Sequence, residues 1–139
     1  MSNRFLPGYG FECDVLKVQK SLWWSEYELK ISISDYQADF RKSVCVGYEK
    51  NERQSWMPVS IRKHEILASL TKPKHFWFVL PLGMVSVEKV PYHCGVMTFE
   101  ETENRGVRFK VERKAPTLKS AAKITTKQLF NLCLKGGSN

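Results

Sequence analysis

Asp14, Glu28 and Lys30 bring together the side chains that hold a hard divalent cation and manage a proton beside it. Carboxylate oxygens are the preferred ligands of magnesium, and an ammonium two residues further along a strand emerges on the same face as the acid before it. Such a set can activate a water and stabilise the charge that builds on a phosphate under attack. Lys30 would orient that water, help lower its pKa, or neutralise the phosphate in the transition state. The same residues also fit a solvated polar sheet face, with Lys30 paired to Glu28 or Glu12 across strands.

Positioning these groups falls to two strands. Residues 11–19 and 23–33 alternate with a period of two around a polar break at Lys20 and Ser21, which predicts a β-hairpin. If the turn centres on Ser21, Asp14 lies opposite Glu28 and Glu12 opposite Lys30. One face then carries Glu12, Asp14, Glu26, Glu28 and Lys30, and the other Phe11, Cys13, Val15, Tyr27, Leu29 and Ile31. The expectation is one charged face and one core face. Opposed carboxylates repel, and magnesium is a natural occupant between them.

The rest of the chain predicts alternating elements. Ser34 and Gln37 give a capping signal for a helix over residues 35–44, with Tyr36, Phe40 and Val44 inward and Asp35, Asp39 and Lys42 on the other face. Residues 47–58 are polar and predict an exposed loop. A second helix is expected over residues 60–70, with Ile66, Leu67 and Leu70 buried and Arg62 and Lys63 outside. Residues 75–80 predict a central strand, 95–100 and 107–112 an antiparallel edge pair, and 117–135 a last helix closed by Gly136 and Gly137.

The chain has 139 residues, which suits one domain spanning residues 1–139. It carries no apolar run of membrane-spanning length and no secretory pattern in residues 1–10, so the expected setting is cytoplasmic, with no membrane partner. Lys and Arg number 22 against 14 acids, a net charge of +8 that favours a polyanion, DNA or RNA. Arg105, Arg108, Lys110, Arg113 and Lys114 crowding one hairpin, and Lys119, Lys123 and Lys127 at every fourth residue of the last helix, could form one basic wall; a solvated helix face reads equally well. Trp23, Trp24 and Trp56 fit either base stacking or core packing, with packing the commoner use. The four cysteines are dispersed, without a CxxC pair, and His93 beside Cys94 fits a structural role more readily than a metal site.

Asp14, followed after a strand gap by Tyr27-Glu28-Leu29-Lys30-Ile31-Ser32, resembles the D-x(n)-E-x-K core of the PD-(D/E)XK nuclease superfamily. The stretch Ser34-Asp35-Tyr36-Gln37-Ala38-Asp39-Phe40-Arg41-Lys42 looks like the matching segment of the MmcB-like DNA repair proteins and related phage and bacterial proteins. Lys63-His64-Glu65-Ile66-Leu67, the run from Phe76 to Gly83 and the run from Val90 to Val96 are similar in order and type, so the likeness covers roughly residues 11–100.

The resemblance implies an α/β fold with a central mixed sheet flanked by helices, a restriction-endonuclease-like core. It implies a Mg2+- or Mn2+-dependent endodeoxyribonuclease of DNA repair or phage DNA processing, acting alone, as a homodimer or in a larger assembly. Asp14 and Glu28 would be metal ligands, with the Leu29 carbonyl a further one, Lys30 the catalytic lysine, and Lys42 a weaker helix-borne candidate. Many superfamily members also carry a glutamate on a helix before the first core strand. Only ten residues precede that strand here, and Glu12 would partly substitute. Residues 46–58 look like an insertion that contacts DNA or a partner. The alternative on the same fold is a noncatalytic nucleic-acid-binding or repair accessory module.

Overall fold

The computed structural model describes residues 4–5, 12–69, 73–119 and 121–137. Its centre is a five-stranded mixed sheet in the order β3 (Val15–Val18), β4 (Trp24–Leu29), β7 (His75–Pro81), β8 (Cys94–Glu101), β9 (Val107–Arg113). Strands β4, β7 and β8 run parallel, and β3 and β9 close the two edges antiparallel. This is a mixed α/β architecture. Ahead of it, β1 (Arg4–Phe5) pairs with β2 (Glu12–Cys13), and β5 (Ser43–Lys50) pairs with β6 (Trp56–Arg62) in a separate ribbon.

The hairpin register agrees with expectation: Val15 pairs with Tyr27 and Leu16 with Glu26. The assignment of its faces does not. Glu26, Glu28 and Lys30 are buried, whereas Leu29 and Ile31 on the supposed core face are exposed. Helices α1 (Ile33–Asp39) and α2 (Lys63–Ser69) explain the reversal, because their side chains cover the acid-bearing face. Tyr36 and Phe40 from α1 and its C-cap pack edge-on or tilted against Phe78, and His64 of α2 stacks on Phe78 and meets Phe76 edge-on. On the opposite face Tyr27 stacks on Trp77, while Val15, Leu29, Phe109 and Val111 are exposed.

Several predicted boundaries shift. Ser32, rather than Ser34, caps α1, its Oγ accepting from the Asp35 N–H at 3.1 Å, and Val44 belongs to β5. Tyr36, Asp39 and Phe40 fall three and four residues apart and therefore share one helix face, so Asp39 is buried rather than outward. Lys63 is also buried, contrary to its expected outer position, whereas Arg62 is exposed as expected. Residues 47–58 are largely the β5–β6 ribbon, turned by Asn51, whose Oδ1 accepts from the Arg53 and Ser55 N–H groups. Val44, Val46 and Tyr48 in β5 and Met57, Val59 and Ile61 in β6 recur at every second residue, a strand pattern interrupted by the polar run of residues 49–55 between them.

The last helix, α3 (Thr126–Gly137), begins nine residues later than position 117. The irregular segment before it lies along the start of β4: Leu118 N–H donates to Lys74 O, the Trp24 indole to Ala122 O, and Ile124 N–H to Leu22 O. Phe11, Leu70 and the side chain of Glu12 lie outside the described residues. Among the described residues, no helix is long and apolar enough to cross a membrane.

Candidate functional site

Alternation along β4 sends Glu26 and Glu28 to the helix-covered face, and Lys30 follows just past the strand end. The chain bends at Asp14 between β2 and β3, and its Oδ2 accepts the Leu29 N–H at 2.9 Å. In a strand the N–H and C=O of one residue point toward the same neighbour, so the Leu29 carbonyl also lies on the Asp14 side. The structure thus brings Asp14, Glu28, Leu29 and Lys30 together. Glu12 pairs with Phe5 of β1, and the β3–β4 pairing ends at Val15 and Tyr27, short of Lys30.

What sequence reasoning missed at this point is Asp39, which enters from α1, and Lys63 and His64, which enter from the start of α2; Lys42, the helix-borne candidate, joins them from just beyond α1. Lys63 Nζ lies 2.9 Å from Glu26 Oε1, 3.4 Å from Glu28 Oε1 and 3.6 Å from Asp39 Oδ1. Lys30 Nζ bridges Glu28 Oε2 at 3.4 Å and Asp39 Oδ1 at 3.3 Å, and Lys42 Nζ reaches Asp39 Oδ1 at 3.0 Å and Glu28 Oε2 at 3.9 Å. Among the described residues, no ammonium comes within ion-pairing distance of Asp14.

Four carboxylates therefore meet three ammoniums. Burial, followed by the charge of Glu28, raises the Asp14 pKa, and the Leu29 N–H only partly offsets this. Burial raises that of Glu28 as well, with Glu26 adding to the shift and Lys63 and Lys42 opposing it. Asp39 goes the other way: burial alone would lift it, but the hydrogen bond from His64 and the charges of Lys63, Lys42 and Lys30 hold it far below the usual carboxylate range. Burial works against the Lys63 ammonium, yet Glu26, Glu28 and Asp39 raise its pKa and keep it charged.

Beyond Asp39 the network continues through imidazoles. His64 Nε2 lies 2.6 Å from Asp39 Oδ2, and His64 Nδ1 lies 2.8 Å from His93 Nε2. Burial lowers the pKa of both rings, that of His93 to about 4, so both are neutral near pH 7.

The basic groups do not form one wall. Arg105, Arg108 and Lys110 lie in the β8–β9 hairpin, whose turn is at the Leu29 end of the sheet but on its far edge. Arg108 is paired with Glu100, and Lys110 with Glu112 at 3.7 Å. Lys119 and Lys123 lie in the irregular segment, and with Lys127 of α3 they sit at the opposite end, beside Leu22 and Trp23, where Lys123 Nζ lies 5.4 Å from the Trp23 ring centre. Trp24 is buried in the core and Trp56 exposed on the ribbon.

No family model and no curated protein matches the chain. A protein of unknown function from Silicibacter pomeroyi has a similar solved structure, with a TM-score of 0.54 and 16% identity, covering 96% of this chain and 68% of that one. At that identity the likeness concerns the fold alone.

Proposed function

We propose that the protein is a metal-dependent nuclease acting on DNA phosphodiester bonds, with Asp14, Glu28 and Lys30 as its working groups. The observation that carries this reading is the juxtaposition of Asp14 and Glu28 at one strand end, both with raised pKa values and Asp14 without a cationic partner among the described residues. A buried ionic network is weak evidence for stability, because desolvating the ions offsets much of their attraction, whereas perturbed acids gathered at a strand end are common in functional sites.

The donor set fits magnesium or manganese: two carboxylates with a backbone carbonyl beside them, one positive charge short of neutrality. Held by Asp14, Glu28 and the Leu29 carbonyl, such an ion supplies a Lewis acid and a water of lowered pKa. Lys30, fixed between Glu28 and Asp39, is placed to hold charge on a phosphate oxygen or to orient a water. Lys42, with 39% of its side chain exposed, is the ammonium of the cluster most open to a phosphate. Arg105 lies at the same end of the sheet and could extend the contact along the backbone of DNA.

A second reading, a nucleic-acid-binding module without hydrolysis, is favoured by one fact. Glu28 is only 2% exposed and already contacts Lys30, Lys42 and Lys63, which could fill the role of a metal. Metal titration by calorimetry, with nicking of supercoiled and single-stranded DNA in the same samples, separates the two. The nuclease reading expects binding and nicking by the wild type and loss of both in Asp14→Asn. A folded wild type that neither binds the metal nor cuts overturns it, and salt-dependent DNA affinity then tests the binding module.

A further inference from the structure

We propose that His64, His93 and Cys94 form a second metal site, with ligands separate from Asp14 and Glu28, for a borderline-soft divalent ion, zinc foremost. Their ligand atoms, two imidazole nitrogens and a sulfur, all lie within 4.8 Å of one another. A tetrahedral zinc with bonds of about 2.05 Å to nitrogen and 2.3 Å to sulfur needs ligand separations of roughly 3.3 Å between nitrogens and 3.6 Å between nitrogen and sulfur. His64 Nδ1 and His93 Nε2, at 2.8 Å, would part by about half an ångström, and the sulfur would close by at most about an ångström.

Three features of the surroundings support the site. Asp39 Oδ2 accepts from His64 Nε2 at 2.6 Å, which leaves Nδ1 of a neutral ring free to bind and reproduces the carboxylate–imidazole–metal arrangement that orients ligating histidines. His93 and Cys94 sit on a braced segment: the Arg113 guanidinium donates to the carbonyls of Val87, Val90, Pro91 and Cys94 at 2.6 to 3.2 Å. Pre-placed ligands on braced backbone need little reorganisation on binding. Phe40, Phe76 and Phe78 enclose His64, so the site is dry on one side, while half-buried His93 gives the way in.

Binding exchanges the imidazole–imidazole hydrogen bond for two metal bonds. The ring proton of His93 moves from Nε2 to Nδ1, and the thiol proton of Cys94 is released to solvent. Three protein ligands leave a fourth position for water, the pattern of a zinc site that can do chemistry rather than a closed structural one.

The test uses the metal-stripped full chain and Co2+ as a spectroscopic probe. One equivalent added to the metal-free protein is expected to release about one proton per site and to give visible tetrahedral d–d bands and a near-ultraviolet thiolate-to-cobalt charge-transfer band, both lost when Zn2+ displaces the cobalt. Cys94→Ser is expected to remove the charge-transfer band, and His93→Gln to weaken Zn2+ binding at least ~10-fold. Asp14→Asn and the double variant of the exposed cysteines, Cys45→Ser with Cys133→Ser, keep both bands. Should Cys94→Ser not fold, His93→Gln carries the test. No charge-transfer band in the wild type, one that survives Cys94→Ser, or unchanged Zn2+ affinity in His93→Gln overturns the proposal.

Discussion

Asp39 and His64 share a hydrogen bond of 2.6 Å that joins the lysine–carboxylate cluster to the histidine–cysteine group. One oxygen of Asp39 faces the imidazole, and the other faces Lys30, Lys42 and Lys63 at 3.0 to 3.6 Å. Replacing this carboxylate leaves three ammoniums with less compensating charge under the helices. Asp39→Asn is expected to cost about 3–5 kcal/mol, read from the urea midpoint at neutral pH, as for other broken buried ion pairs. A loss below about 1 kcal/mol would mean that water already solvates the cluster.

The lysines separate by depth. Lys63 is 0% exposed, so Lys63→Met removes the ammonium 2.9 Å from buried Glu26 and one of the three beside Glu28, and is expected to cost about 3–5 kcal/mol. The ammonium of Lys42 is partly solvated, and Lys42→Met is expected to cost under about 1 kcal/mol by the same measurement. Equal costs would contradict the burial assigned to Lys63.

Lys63 also shows why part of the site was not legible in the sequence. The period-two pattern was enough to set the β3–β4 register and to bring Asp14 to Glu28, because register in a short hairpin follows from turn position. Which face is core depends on what covers it, and that is set by α1 and α2 arriving from elsewhere in the chain. A charged residue at a helix start reads as solvent-facing until its partners are known. Asp39 was more accessible to reasoning, since its spacing from Tyr36 and Phe40 places all three on one helix face. The β5–β6 ribbon did carry a period-two pattern, Val44, Val46 and Tyr48 in one strand and Met57, Val59 and Ile61 in the other, but the polar run from Glu49 to Gln54 between them reads as a loop.

Acid should weaken the fold in two stages, measured with metal chelated throughout. His93 and His64 have folded pKa values below their unfolded values, so the unfolded chain takes up protons first and stability falls as the pH drops below about 6.5. For His93 the loss ends near its folded value of about 4. Solvent reaching that ring trims its share to on the order of 1–2 kcal/mol. Asp39, held below the usual carboxylate range, contributes stability present above about pH 4 and lost as its folded form is protonated at lower pH. A urea midpoint that stays flat from about pH 7 to 4.5 would contradict the neutral, buried imidazoles.

If the nuclease reading holds, position should rank the basic residues. Lys30→Ala is expected to slow nicking by about 10²- to 10³-fold, the usual loss when a group acting on transition-state charge is removed. Lys119, Lys123 and Lys127 sit at the other end of the sheet. Their triple Ala variant should change the nicking rate less than about tenfold and act mainly on the salt dependence of DNA affinity. A triple variant as slow as Lys30→Ala would show that DNA reaches the metal site across that end.

Gly95 occupies a point in β8 that tolerates no side chain. It pairs with Trp77 of β7, and a Cβ there would lie 2.5 Å from Trp77 Cε3 and 2.7 Å from the Ala115 Cβ. The indole cannot simply tilt away, because it is stacked on Tyr27 with ring centres 5.9 Å apart and planes within 5°. Gly95→Ala is therefore expected to cost about 1–3 kcal/mol in urea unfolding, the usual range for overpacking. The clash makes a sharper prediction in a double-mutant cycle: with Trp77→Leu in place, the added methyl gains room, and the penalty of Gly95→Ala should shrink by at least about 0.5 kcal/mol. An unchanged penalty would locate the strain in the contact with Ala115 instead, where the chain leaves β9.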